Sequence, residues 1–150
     1  MNRITIISLI TLIAFSSVAA DSTNVTLVID GKFVALSDTV RPQIIQRSVD
    51  LLASSAYKNE NPNWGAPAEP QTILDAKKES HLHLNFSVPR KIEIPILDTV
   101  VKAQEIVITL PLTRAGIWVQ TDDGVKYFAK FKPIAADNLQ KSLDNVLPPR

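Results

Sequence analysis

The chain has 150 residues, with 16 lysines and arginines against 15 aspartates and glutamates, four glycines and no cysteine. This near balance of charge argues against general electrostatic binding to nucleic acid or anionic lipid, which requires a basic excess. The lack of cysteine excludes disulfides, thiolate metal sites and a cysteine nucleophile. The four glycines are too scattered to form a phosphate-binding glycine loop.

The first 20 residues have the pattern of a cleavable signal peptide. Arg3 precedes an apolar run from Ile4 to Val18, and Ala19 and Ala20 supply small residues for cleavage. The run is shorter than the ~20 residues of a membrane-spanning helix, which disfavours the alternative of an uncleaved anchor. We therefore expect cleavage after Ala20, a single globular domain over residues 21–150, and a periplasmic or secreted location without membrane insertion.

A hairpin and a helix are predicted next. Val25–Ile29 and Lys32–Leu36 are β-prone runs that flank Asp30-Gly31, a dipeptide typical of two-residue turns with positive φ. From Thr39, the predicted N-cap, to Ala56, apolar residues recur every three or four positions, which predicts an amphipathic helix. Pro42 falls in its first turn, where the missing N–H costs no helical hydrogen bond.

Residues 57–70 contain three prolines and three asparagines and predict a long irregular loop around Trp64. A short helix through Ile73 and Leu74 follows it. Apolar spacing from Ala136 to Leu147 predicts a C-terminal amphipathic helix. Between these helices lie five strand-like runs: His81–Val88, Lys91–Ile96, Val100–Leu110, Ile117–Thr121 and Val125–Lys132.

This order of elements predicts an α+β domain. We expect a twisted antiparallel sheet of five to six strands packed on one long helix, with a C-terminal helix beside it. The layout is similar to the cystatin-like arrangement. The chain has no counterpart of the cystatin inhibitory loop, so the likeness is one of layout and carries no function.

His81 and His83 are the only histidines, and their spacing places both imidazoles on one face of a strand. Apolar residues alternate with them, so a solvated sheet face explains the pair, and no metal or cofactor is predicted. The alternative is a carrier that binds a metal or small ligand through both rings, although zinc requires further ligands that no motif supplies.

No catalytic motif occurs in the chain: there is neither a Gly-x-Ser-x-Gly elbow nor a His-Glu-x-x-His helix. We therefore expect a protein without catalytic activity. A small hydrolase with a dispersed carboxylate pair is the third hypothesis, because such partners need not be close in sequence.

The second hairpin carries most of the informative aromatic residues. If Asp123 and Gly124 are its central turn residues, Trp118 pairs with Ala129. One face then carries Trp118, Tyr127 and Phe131; the other carries Ile117, Val119, Phe128, Lys126, Lys130 and Lys132. Packing of the aromatic face on the helix is favoured because large rings dominate core energetics, and the alternative leaves that face for a partner.

Trp64 either fixes its loop to the domain or serves as an anchor for another molecule, since tryptophan is enriched among interface hot spots. The sequence thus predicts an exported binding module, such as an inhibitor or accessory protein. It would recognise a protein, or alternatively a glycan, through Trp64, Trp118 and Tyr127.

Overall fold

A computed structural model describes residues 22–55 and 66–147 of the chain. These residues form seven antiparallel strands in the spatial order β2-β1-β4-β5-β6-β7-β3, together with three α-helices. The strands are β1 (Thr23–Ile29), β2 (Lys32–Val34), β3 (Ala66–Ala68), β4 (His81–Ile94), β5 (Thr99–Thr109), β6 (Ile117–Thr121) and β7 (Gly124–Phe128). The helices are α1 (Arg41–Ala53), α2 (Pro70–Ala76) and α3 (Pro133–Asp144). The predicted α+β class with an antiparallel sheet is confirmed.

The two faces of the sheet are covered unequally. Helices α1 and α3 contact each other, and their apolar residues form the main core with one face of the sheet. Leu52 of α1, Leu139 of α3 and Phe128 of β7 are all fully or almost fully buried there. The short helix α2 packs on β5, β6 and β7 on the other face, where Ile73 lies in a smaller cluster.

The long helix α1 begins later and ends earlier than predicted. It starts at Arg41 with Val40 at the N-cap, so the predicted N-cap at Thr39 is wrong. The Thr39 hydroxyl lies 3.0 Å from that of Ser37 in the preceding turn and does not cap the helix. Pro42 occupies the first turn as predicted.

Strand β4 is a single strand of 14 residues, although two separate runs were predicted. Its pairing with β5 is irregular between Asn85 and Arg90, and this bulge accommodates Pro89 without ending the strand. Pro95 lies beyond β4, in a 3-10 turn (Pro95–Leu97) that leads into β5.

The first hairpin matches the prediction, and the second is shifted. Ile29 pairs with Lys32, and both Asp30 and Gly31 have positive φ. In the second hairpin Thr121 pairs with Gly124, so the central turn residues are Asp122 and Asp123. The predicted turn at Asp123-Gly124 is therefore wrong: the actual turn lies one residue earlier in the chain. As a result, the residue opposite each position of β6 lies two residues earlier than predicted.

Part of the predicted loop at 57–70 is ordered secondary structure. Ala66–Ala68 forms β3, the edge strand beside β7, and α2 begins at Pro70. A proline at position 67 fits an edge strand, because no second ladder has to be paired. Trp64 and the predicted signal peptide lie outside the described residues.

Leu52→Ala and Leu74→Ala form a matched test of the main core. Leu52 is fully buried, whereas Leu74 is 51% exposed on α2. We expect Leu52→Ala to lower the free energy of unfolding by about 2–5 kcal/mol, because the removed atoms leave a cavity. Leu74→Ala should cost less than about 0.5 kcal/mol. Urea unfolding followed by circular dichroism measures both, and equal costs would contradict the assigned position of α1.

Candidate functional site

Trp118 and Tyr127 face each other across β6 and β7. They are direct cross-strand partners, and their ring centroids are 4.8 Å apart at an interplanar angle of 45°. This tilted geometry is favourable for an aromatic pair. Both side chains are half-buried. The predicted pairing of Trp118 with Ala129 is wrong, but Trp118 and Tyr127 do share one face.

That face is not the one that packs on the long helix. Ile117, Val119 and Phe128 point into the main core, while Trp118 packs at the edge of the small cluster beneath α2. The favoured prediction, burial of the aromatic row on the helix, is therefore wrong. Strand β7 also ends at Phe128, and Phe131 packs against the main core instead of extending the row.

Gly116 provides the space in which the two rings lie. A Cβ atom at this position would be 2.6 Å from Tyr127 Cε2 and 2.7 Å from two atoms of the Trp118 ring. Its backbone N–H donates to Thr109 Oγ1 at 3.0 Å, so the glycine is fixed in the sheet. Because its φ is not positive, Gly116 is required by close packing and not by backbone conformation.

An open cleft adjoins Tyr127, and we call it the Tyr127 cleft. Its volume is about 400 Å³. The lining residues are Leu112, Thr113, Arg114, Ala115, Tyr127, Ala129, Lys130 and Phe131. The cleft thus combines two aromatic rings with two basic side chains, and none of the described residues in its lining is acidic. Arg114 was not singled out in the sequence, because it belongs to no motif, whereas Lys130 was placed on the basic face of the second hairpin.

A half-buried ionic cluster lies on the same face of the sheet. Glu105 of β5 contacts Lys77 Nζ, and its Oε1 is 3.2 Å from His83 Nε2. The side chains of Lys77, Glu105 and His83 are 28%, 20% and 22% exposed. The nearby His83 ring, assisted by Lys77, lowers the pKa of Glu105 from 4.5 to about 2 despite its desolvation.

The prediction that His81 and His83 lie on a solvated sheet face is wrong. His81 is only 5% exposed, and its Nδ1 is 2.7 Å from the carbonyl oxygen of Glu79. The ring centroids of His81 and His83 are 6.5 Å apart. Within residues 22–55 and 66–147, no three histidine, aspartate or glutamate side chains are grouped as metal ligands would be.

Comparison with known proteins gave no match to a family model, to a curated protein or to a solved structure. None of the helices in the described ranges has both the length and the apolar character needed to cross a bilayer.

Gly116→Ala tests how the aromatic pair is seated. We expect a loss of about 1–3 kcal/mol in the free energy of unfolding, because the added methyl group displaces both rings. In a Trp64→Phe background, Trp118 is the one remaining tryptophan, so its fluorescence spectrum should shift as well.

Gly31→Ala is the control for that experiment. Gly31 has φ +74° and no neighbouring atom within 4 Å of a built Cβ, so its substitution strains only the backbone. We expect it to destabilise the protein without changing Trp118 fluorescence. An unchanged spectrum in Gly116→Ala would contradict the packing described here.

Glu105→Gln tests the ionic cluster. Because the pKa of Glu105 is lower in the folded protein than its ordinary value of 4.5, its ionised form stabilises the fold above pH 4.5. That contribution is lost as the pH falls towards 2. Allowing for solvent screening, we expect the variant to lose about 1–2 kcal/mol at pH 7. Urea titrations should show the difference narrowing between pH 5 and pH 2, whereas Glu93→Gln, at an exposed position, should show no such trend.

Proposed function

We propose that this chain is an exported binding module without catalytic activity, which recognises a protein partner through its aromatic face. The observation that carries the proposal is the half-buried Trp118–Tyr127 pair beside the open Tyr127 cleft. Tyrosine and tryptophan are enriched among interface hot spots because they provide a large contact area at low entropic cost. The predicted signal peptide supports a periplasmic or secreted location.

Trp64 is included in the proposed recognition surface on the sequence alone, because tryptophan is enriched among interface hot spots. In the sequence it precedes Ala66, the residue paired with Tyr127, by two positions.

The two rival functions have less support. In the carrier hypothesis His81 and His83 would bind a ligand, but His81 is buried against Glu79 and His83 faces Glu105. The hydrolase hypothesis needs a carboxylic acid that holds its proton near neutral pH. The one strongly perturbed carboxyl group in the described ranges, Glu105, is shifted in the opposite direction.

Capture of a partner tests the proposal. Residues 21–150 would be immobilised and exposed to extracytoplasmic extract from the source organism, and bound proteins would be identified by mass spectrometry. We expect Trp64→Ala to lose the specifically captured protein with little change in melting temperature, since hot-spot truncation costs about 2 kcal/mol or more of binding energy.

Phe33→Ala is the matched control. Phe33 is 81% exposed on β2, at the edge of the sheet opposite to β3. We expect this variant to capture the same partner as the unmodified domain. Equal capture by Trp64→Ala and the unmodified domain would argue against the proposed surface, and a large fall in melting temperature would show that Trp64 is structural.

A further inference from the structure

We propose that the Tyr127 cleft binds an acidic, apolar segment of the partner in extended conformation. This inference rests on the proposed function, because it assigns a chemical class to the partner of the same surface. It is carried by the chemistry of the cleft lining.

The charge of the lining is one-sided. Among the described residues that line the cleft, Arg114 is a cation with no carboxylate within ion-pair distance, and none is an aspartate or glutamate. The chain as a whole is almost neutral, so this positive charge is a local property of the cleft and not of the composition. Complementary potentials across an interface set specificity and the association rate, which selects an acidic ligand here.

The acidic turn of the same hairpin is remote from the cleft. Asp122 and Asp123 lie in the turn before β7, whereas the cleft lies at the other end of that strand. Five residues of strand span about 16 Å. Asp123 Oδ2 is also 3.6 Å from Lys126 Nζ, so this carboxylate is paired within its own hairpin.

Arg114 is positioned to receive a carboxylate. It ends a 3-10 turn (Leu112–Arg114), and its backbone N–H donates to the carbonyl oxygen of Pro111 at 3.0 Å. The side chain is exposed, and no carboxylate of the described residues lies within ion-pair distance of it. A guanidinium group on a fixed backbone can bind a carboxylate through two parallel hydrogen bonds.

The other lining residues favour a ligand that carries an apolar side chain next to that carboxylate. Tyr127 and Phe131 are half-buried, and Leu112 is only 5% exposed. An apolar side chain entering between them would be removed from water on several sides. The cleft is open and of modest volume, so it suits one or two side chains of an extended segment better than an enclosed small molecule.

Fluorescence anisotropy with defined peptides tests this inference. The probes are short labelled peptides that alternate glutamate with phenylalanine, and matched peptides with glutamine or lysine in place of glutamate. We expect saturable binding of the acidic peptide to residues 21–150, about tenfold tighter than that of the glutamine peptide. Raising NaCl from about 50 mM to about 500 mM should weaken it.

Variants at position 114 locate the binding. Arg114→Ala should weaken binding of the acidic peptide about tenfold, and Arg114→Lys should give an intermediate loss because it retains charge but not the bidentate geometry. Lys91→Ala, at an exposed lysine outside the cleft, should have no effect. Equal affinity for the acidic and glutamine peptides, or unchanged affinity in Arg114→Ala, would overturn the inference.

Two further outcomes separate this inference from the proposed function. If acidic peptides fail to bind while partner capture still depends on Trp64, the partner class is wrong and the recognition surface stands. If sedimentation shows a dimer of residues 21–150 that Arg114→Ala abolishes, a second copy occupies the cleft and the inference falls.

Discussion

The unequal burial of the sheet determines most features of this molecule. The C-terminal half of β5 and its neighbour β6 are covered on both faces, because their core-facing residues pack in the main cluster with α1 and α3 while Val107 and Trp118 pack in the small cluster with α2. Val107 shows this requirement, since it is fully buried under α2 while its neighbours Ile106 and Ile108 are buried in the main core. A helix of seven residues cannot cover a seven-stranded sheet, so its covered area ends close to Trp118. The half-buried aromatic pair lies at this limit of coverage.

The sequence predicts the main core well, because periodicity is a direct consequence of burial. Strict alternation in Leu82 and Leu84, and three- and four-residue spacing in α1, both follow from one-sided contact with a core. The side of the sheet on which α2 packs could not be predicted in this way. Its buried residues Ile73 and Ala76 show that it packs on something, but they do not identify the partner surface. The burial of His81 against the carbonyl oxygen of Glu79 was also missed, because alternation along a strand does not show what covers a polar position.

The second hairpin shows a different limit of sequence reasoning. Asp122-Asp123-Gly124 offers two dipeptides with turn-forming residues, and the choice between them shifts the cross-strand pairing by two residues. Because side-chain direction has a period of two, this error left Trp118 and Tyr127 on the same face and changed only their partners. Cross-strand contact between the two rings then depends on Gly116, whose role is invisible without the pairing. The Glu105 cluster was equally hidden, since its three members come from a turn and two strands.

The same packing also bears on binding. Tyr127 is held from one side by Trp118 and lies over the backbone of Gly116, so its ring has little freedom to lose when a ligand arrives. Immobilising a mobile side chain in an interface costs about 0.5–1.5 kcal/mol, and a ring already fixed by the fold avoids much of that cost. Lys77 at the end of α2 is fixed to β5 through Glu105, which holds in place the short helix that packs on Trp118. In the proposed recognition surface the ionic cluster would therefore act indirectly, because it fixes the helix against which the half-buried Trp118 ring packs.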